Sequence, residues 1–240
     1  MTAHRANREA HDEPAATQPG AQVAAGDAGE SVVVMHGLWM PGWETLLLRR
    51  RLEAAGYATL QFVYPTTRCG LDENVDRLAA FVARVPGSRI HFVGHSLGGV
   101  LALKLFERAP PARAGRVVCL GSPLTGTRAG RVLDSSPLGR RIVGRCIHDL
   151  IECGGCKPWN GATDLGIIAG DVPLGFGRLL GGLEKPHDGT VSVSETRLPG
   201  ATEHIVLHCT HMSMLWSHAV ADQVVHFLRD GRFAHAPARA

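Results

Sequence analysis

Ile90-His91-Phe92-Val93-Gly94-His95-Ser96-Leu97-Gly98-Gly99 sets a short apolar run directly against a helical one. Ile90, Phe92 and Val93 read as a buried strand, and Val100-Leu101-Ala102-Leu103-Lys104-Leu105-Phe106 reads as a helix, with no residues to spare for a loop between them. Ser96 therefore falls in the turn itself. A reversal this tight crowds the backbone two residues to either side, where Gly94 and Gly98 carry no side chain. The spacing is G-x-S-x-G, and a strand before it with a helix after it is the setting in which such a serine is exposed as a nucleophile. The competing reading is a serine that merely caps the helix that follows.

Working outward from this turn, apolar runs of strand length alternate with helical patterns, the signature of βαβ units wound into a parallel sheet. Val32–Met35, Tyr57–Tyr64, Ile90–Val93, Arg116–Leu120, Leu165–Gly170 and Ile205–Cys209 are the six expected strands. Helices are expected from Trp43 to Ala55, ended by Gly56, and from Asp72 to Val85, where Leu71, Val75, Leu78, Val82 and Val85 recur at helical spacing. The last is expected from Leu215 to Leu228, capped by Gly231. Between the fourth and fifth strands, residues 124–160 contain no strand pattern. Leu138, Ile142, Val143, Cys146, Ile147, Leu150 and Ile151 instead form an apolar helix face opposed by Arg140, Arg141 and Arg145. This insertion reads either as a helix packed on the sheet edge or as a mobile cap, a lid over 124–160 whose apolar face lines an acyl pocket, with a membrane-surface helix as a third reading.

The 240 residues suffice for one α/β domain, placed at 31–233 between a disordered tail at 1–30 and a flexible tail at 234–240. The first thirty residues have almost no large apolar side chains with which to offset the entropy of ordering. A net charge of +3 with 20% charged residues gives no case for nucleic acid as a partner, and no apolar run is long enough to span a membrane. Peripheral membrane contact stays open, as does oligomeric state. No secretory pattern opens the chain, so a cytoplasmic location is expected. The six cysteines are scattered and read as reduced thiols, Cys119 and Cys209 in the core. Cys153-Gly154-Gly155-Cys156 lacks a second ligand pair, so neither a metal nor any cofactor is expected.

A serine hydroxyl is a weak nucleophile until a base takes its proton and a third group orients that base. In open parallel sheets functional groups collect beyond the carboxyl ends of the strands. His211 has that address, just past the last strand. His208 falls within the strand pattern, His204 before it and His218 in the final helix. For the acid, Asp188 in His187-Asp188-Gly189-Thr190-Val191 is favoured, with Asp171 and Asp164 as rivals. The chain order is then Ser, Asp, His. Developing charge on an attacked carbonyl needs two backbone N–H donors, assigned to Leu97 and to Leu38 in the loop after the first strand. His36 is expected to brace that loop. Trp39, Phe176, Leu179, Leu180 and Leu183 are candidates for the wall of an acyl pocket, Trp39, Leu179 and Leu180 chief among them.

Val34-Met35-His36-Gly37-Leu38, Gly94 to Gly99, His187 to Val191 and His211-Met212-Ser213-Met214-Leu215 together resemble the α/β-hydrolases of the lipase and esterase kind, over roughly residues 31–233. The resemblance implies an α/β-hydrolase fold: a mostly parallel six-stranded sheet with helices on both faces, a cap-like insertion, and no counterpart of the family's first two strands before Ser31. It assigns the oxyanion donor, nucleophile, acid and base to the four segments in that order. The implied activity is cleavage of carboxylic esters with aliphatic acyl groups, a small-molecule substrate. A thioesterase or acyltransferase would use the same machinery, and a binding module that keeps the fold without turnover is a more distant reading.

Overall fold

The computed structural model describes residues 29–161, 163–175 and 183–235. Six strands, β1 (Glu30–Met35), β2 (Ala58–Phe62), β3 (Arg89–His95), β4 (Ala114–Leu120), β5 (Leu165–Gly170) and β6 (Glu203–Leu207), form one sheet in the order β2-β1-β3-β4-β5-β6, every neighbour parallel. The strand pattern places all six, with shifted ends. Glu30 already belongs to β1, although the sequence assigns it to the tail. At the far edge β6 starts at Glu203, so His204 lies within the strand and His208 and Cys209 lie beyond it. His204 is accommodated there because Thr196 Oγ1 meets its Nε2 at 2.8 Å. At the other end of the chain, Ala234 N–H donates to Gln223 Oε1 at 2.8 Å, so this residue is held rather than loose. Residues 1–28 and 236–240 lie outside the described residues.

Side chains alternate across a strand, so a sheet with apolar residues at successive positions must be covered on both faces. Val33, Met35, Phe92, Val117, Cys119 and Ile167 point into one apolar layer, shared with α2 (Leu71–Val82), α3 (Leu97–Arg108) and, from the insertion, α5 (Pro137–Glu152). Val32, Val34, Val93, Val118, Leu120 and Ile168 point into the other, shared with α1 (Leu46–Ala54) and the last helix, α7 (His218–Asp230). The helices obey their local signals. In α2, Leu71, Val75, Leu78 and Val82 are buried while Asp72 and Glu73 sit in the first turn, where the helix dipole favours acids. In α7, Ser217 accepts the Val220 N–H and Gly231 ends the helix at φ 75°.

The insertion folds as α4 (Arg128–Asp134) and α5, each capped by a hydroxyl, Thr127 to Gly130 N–H and Ser136 to Gly139 N–H. The expected single stripe is corrected in part. Gly144 adopts φ 76°, which breaks the helical phase inside α5. Val143, Cys146, Ile147 and Leu150 are buried, but Leu138 and Ile142, before the break, face solvent. The break lets Thr67 O accept the Arg145 N–H at 3.0 Å, and Asp149 Oδ2 accepts the first amide of α2, from Leu71, at 2.7 Å. The second half of the insertion is thus fastened to the loop before α2, and its start is fastened elsewhere, the Arg128 N–H donating to Glu195 Oε1 at 2.5 Å. A short α6 (Val193–Thr196) precedes β6 and carries a capping box between Ser192 and Glu195.

Candidate active site

The strand order reverses between β1 and β3, and a crevice opens beyond the carboxyl ends of strands at such a point. Met35 is in register with Gly94, so the loop after β1 and the turn after β3 emerge side by side. Ser96 stands in that turn at φ 53°, ψ −120°. This is the left-handed side of the map, where a residue with a side chain carries strain of about 1–3 kcal/mol. Its hydroxyl makes no cap bond to α3. The capping reading of Ser96 is therefore set aside. The turn is held by the Ser96 N–H donating to Leu120 O at 2.8 Å, and by the space the glycines leave free. A Cβ on Gly94 would lie 2.3 Å from Gly99 N, and one on Gly98 would lie 2.5 Å from Met35 O. Neither contact is sterically allowed.

His211 follows β6 and lines the same cavity as Ser96. Its Nδ1 lies 2.7 Å from Asp188 Oδ2, and its N–H donates to Asp188 O at 2.9 Å. The other carboxylate oxygen, Oδ1, accepts the amides of Thr190 at 2.9 Å and Val191 at 2.8 Å. Burial alone would raise the Asp188 pKa; the His211 charge, its hydrogen bond and these two amides outweigh burial and hold the carboxyl below its usual value. Asp188 is an ionised acceptor whose partner is the imidazole. Asp171, the rival, is occupied elsewhere: its Oδ1 meets His208 Nδ1 at 3.0 Å on the surface. Asp164 is paired with Arg116. His218 begins α7, and His204 is bonded to Thr196, so neither reaches the cavity.

The loop after β1 is braced as expected. His36 Nδ1 donates to Gly37 O at 2.9 Å, its Nε2 accepts the Tyr64 N–H at 3.3 Å, and the Tyr64 hydroxyl donates to His36 O at 2.8 Å. Burial lowers the His36 pKa, which keeps the ring neutral for this double role. Of three successive amides in the loop, Gly37 N–H points at Met40 Sδ (3.3 Å) and Trp39 N–H at Thr66 Oγ1 (3.2 Å). Leu38 N–H has no partner among the described residues. Leu97 opens α3, and the first amides of a helix have no acceptor within it. Both residues border the cavity together with Ser96.

That cavity has a volume of about 230 Å³. Leu133, Val143 and Ile147 of the insertion form much of its apolar wall, with Pro123, Ala129, Leu174, Val191 and Met212. Trp39 lines it and is itself bonded to the insertion, its Nε1–H donating to Ile142 O at 2.9 Å. Within the insertion, Cys146 and Leu150 pack on the body of the domain, while Leu133, Val143 and Ile147 border the cavity. Leu179 and Leu180, like Phe176, lie outside the described residues, and Leu183 does not border the cavity. Ala129, Leu133, Leu174 and Met212 escape sequence reasoning because nothing local marks them. For Val143 and Ile147 the signal is present in the apolar stripe.

Among the described residues there is no group of three or more His, Cys, Asp and Glu placed to hold a metal, and no helix long and apolar enough to cross a membrane. In the Cys153/Cys156 pair, burial pushes the Cys156 thiol well up, and its amide donates to Leu124 O at 2.7 Å. A thiol held protonated is a poor ligand and a poor redox group.

Residues 32–174, more than half of the chain, match the Alpha/beta hydrolase family, and the chain belongs to it. Among solved structures it is similar to a Bacillus licheniformis lipase in propeptide form (19% identity, 88% of this chain and 53% of that one, TM-score 0.63). It is also similar to a metagenomic carboxyl esterase (21% identity, 85% and 70%, TM-score 0.59) and to a pyrethroid hydrolase (16% identity, 85% and 99%, TM-score 0.59). The chain spans about half the length of the B. licheniformis lipase, and at these identities the likeness is one of fold. No curated protein matches the sequence.

Proposed function

We propose that the protein is a serine hydrolase of carboxylic esters, with Ser96 as nucleophile, His211 as base and Asp188 as the acid that orients it. One observation carries the reading: an uncapped serine on a strained strand-to-helix turn shares a cavity with a histidine whose far nitrogen is bonded to a buried carboxylate. In the proposed cycle His211 Nε2 takes the Ser96 Oγ proton as Oγ attacks the ester carbonyl. The carbonyl electron pair moves to oxygen, which the Leu38 and Leu97 amides stabilise. The tetrahedral species collapses, the alcohol leaves with the proton from His211, and water then releases the acid by the same steps. Asp188 stabilises the imidazolium that forms in each half.

The apolar wall supports an aliphatic acyl group. At about 230 Å³ the cavity is smaller than the roughly 300–1,000 Å³ of sites for drug-sized ligands, which favours a short chain inside it. The test is p-nitrophenyl esters of graded length with wild type and Ser96→Ala, alongside labelling by a fluorophosphonate. Wild type should turn over the shorter esters and form an adduct on Ser96; Ser96→Ala should lose at least about 10³-fold in kcat and take up no label. Full activity in Ser96→Ala would end the proposal.

A further inference from the structure

We propose that His95, the residue before Ser96, is a positioning residue that holds His211 by its main chain. The inference rests on the serine-hydrolase reading. His95 Nε2 lies 2.9 Å from His211 O, and a carbonyl only accepts, so Nε2 carries the proton and Nδ1 is left with a bare lone pair. That Nδ1 is buried and has no partner. It is turned toward the loop after β1, where a Cβ on Gly37 would come within 3.2 Å of it.

A buried nitrogen without a donor is a cost that phenylalanine or leucine would avoid while filling the same space. Packing alone therefore gives no reason for an imidazole here. What the imidazole supplies, and a hydrocarbon ring does not, is the Nε2–H. Its acceptor belongs to a residue with two further anchors, the N–H and Nδ1 of His211, and both of those end on Asp188. Without His95, the base would be tied to its acid and not to the strand that carries the nucleophile. The bond from His95 joins the turn after β3 to the loop after β6, and the two rings approach to 4.6 Å between centroids. It thereby sets the separation of two groups that must exchange a proton, where a displacement of 1 Å can cost about 100-fold in rate. Burial, with the neighbouring His211 charge, lowers the His95 pKa to about 3, so the ring is a neutral donor throughout the working range and does not itself exchange protons with substrate.

The test compares wild type, His95→Phe and His95→Gln for kcat and KM on a short p-nitrophenyl ester, for the rate of fluorophosphonate labelling, and for Tm. Phenylalanine keeps the ring and removes the donor; the glutamine amide N–H can reach the same carbonyl. His95→Phe should lower kcat and the labelling rate by about 10- to 100-fold with KM within about twofold and only a small change in Tm. His95→Gln should recover kcat to within about fivefold of wild type. The inference is overturned if His95→Phe keeps wild-type kcat, or if folded His95→Gln loses as much as His95→Phe. Should His95→Phe not fold, His95→Leu makes the same comparison. A wild type that neither turns over esters nor takes up label breaks the serine-hydrolase reading itself, whereas a labelled wild type with three equal kcat values breaks only the role of His95.

Discussion

Two aspartate–histidine pairs sit past the ends of β5 and β6, and they differ in almost everything except their chemistry. Asp188 and His211 meet at 2.7 Å with side chains 1% and 8% exposed; Asp171 and His208 meet at 3.0 Å with side chains 37% and 87% exposed. Water can replace either partner of the outer pair, so the contact contributes about 0–1 kcal/mol. The inner pair has no such substitute. Its carboxylate is satisfied on both oxygens, and its imidazole is left with one ring nitrogen for a further partner. Position relative to solvent, and not the identity of the residues, separates the fully bonded inner pair from the outer surface contact.

The sharpest way to break this contrast is Asp188→Asn. The amide keeps the shape but supplies an N–H where His211 needs an acceptor, and kcat should fall by about 10⁴-fold, measured on a short-chain ester. A larger loss in Asp171→Asn would transfer the orienting role to the outer pair.

Acid stability gives the next effect. His95 has its pKa lowered from 6.5 to about 3, so as pH falls through that window the unfolded chain takes up a proton that the folded chain refuses, and stability is lost. Asp188 acts in the same sense over a lower window: its folded pKa lies below the ordinary 3.8, so its contribution is complete above that value and is lost only as pH falls through the lower one. Thermal unfolding at stepped pH should therefore show a flatter slope between pH 6.5 and 3 in His95→Gln, and in Asp188→Asn a slope that is unchanged above pH 3.8 and flatter only below it. The smallest effect belongs to the outer pair. Asp171→Asn and His208→Ala should each leave kcat within about twofold and stability within about 0.5 kcal/mol, as urea unfolding would report.

The sheet was legible because each strand is apolar on both faces, a pattern that needs no knowledge of neighbours. The places of Ser96 and His211 were legible for a related reason: each lies within a few residues of a strand end, so position in the chain translates into position in space, whereas Asp188 lies well past the end of β5. The choice of Asp188 over Asp171 was not decided by sequence, since both follow β5 at turns, and only the tertiary approach of the β6 loop separates them. The insertion was half legible. Counting apolar residues at helical spacing runs straight through Gly144, and a glycine gives no local notice that it will adopt a positive φ and reset the phase. Leu138 and Ile142 were lost to that reset. His95 carried no signal at all, because its partner is the main chain of a residue 116 positions away.

The indole of Trp39, which lines the cavity, donates to Ile142 O of the insertion, and Trp39 is also the residue after Leu38. The carbonyl it reaches lies just before the break at Gly144, where the helix leaves it available. One wall of the cavity and the loop with the free amide are thus joined as a single mechanical part. An acyl chain that pushes the insertion outward must either break this strut or drag the Leu38 amide with it. Fit of the chain and stabilisation of charge on the carbonyl would then rise and fall together, so that in the proposed enzyme selectivity for acyl length would register in kcat as much as in KM.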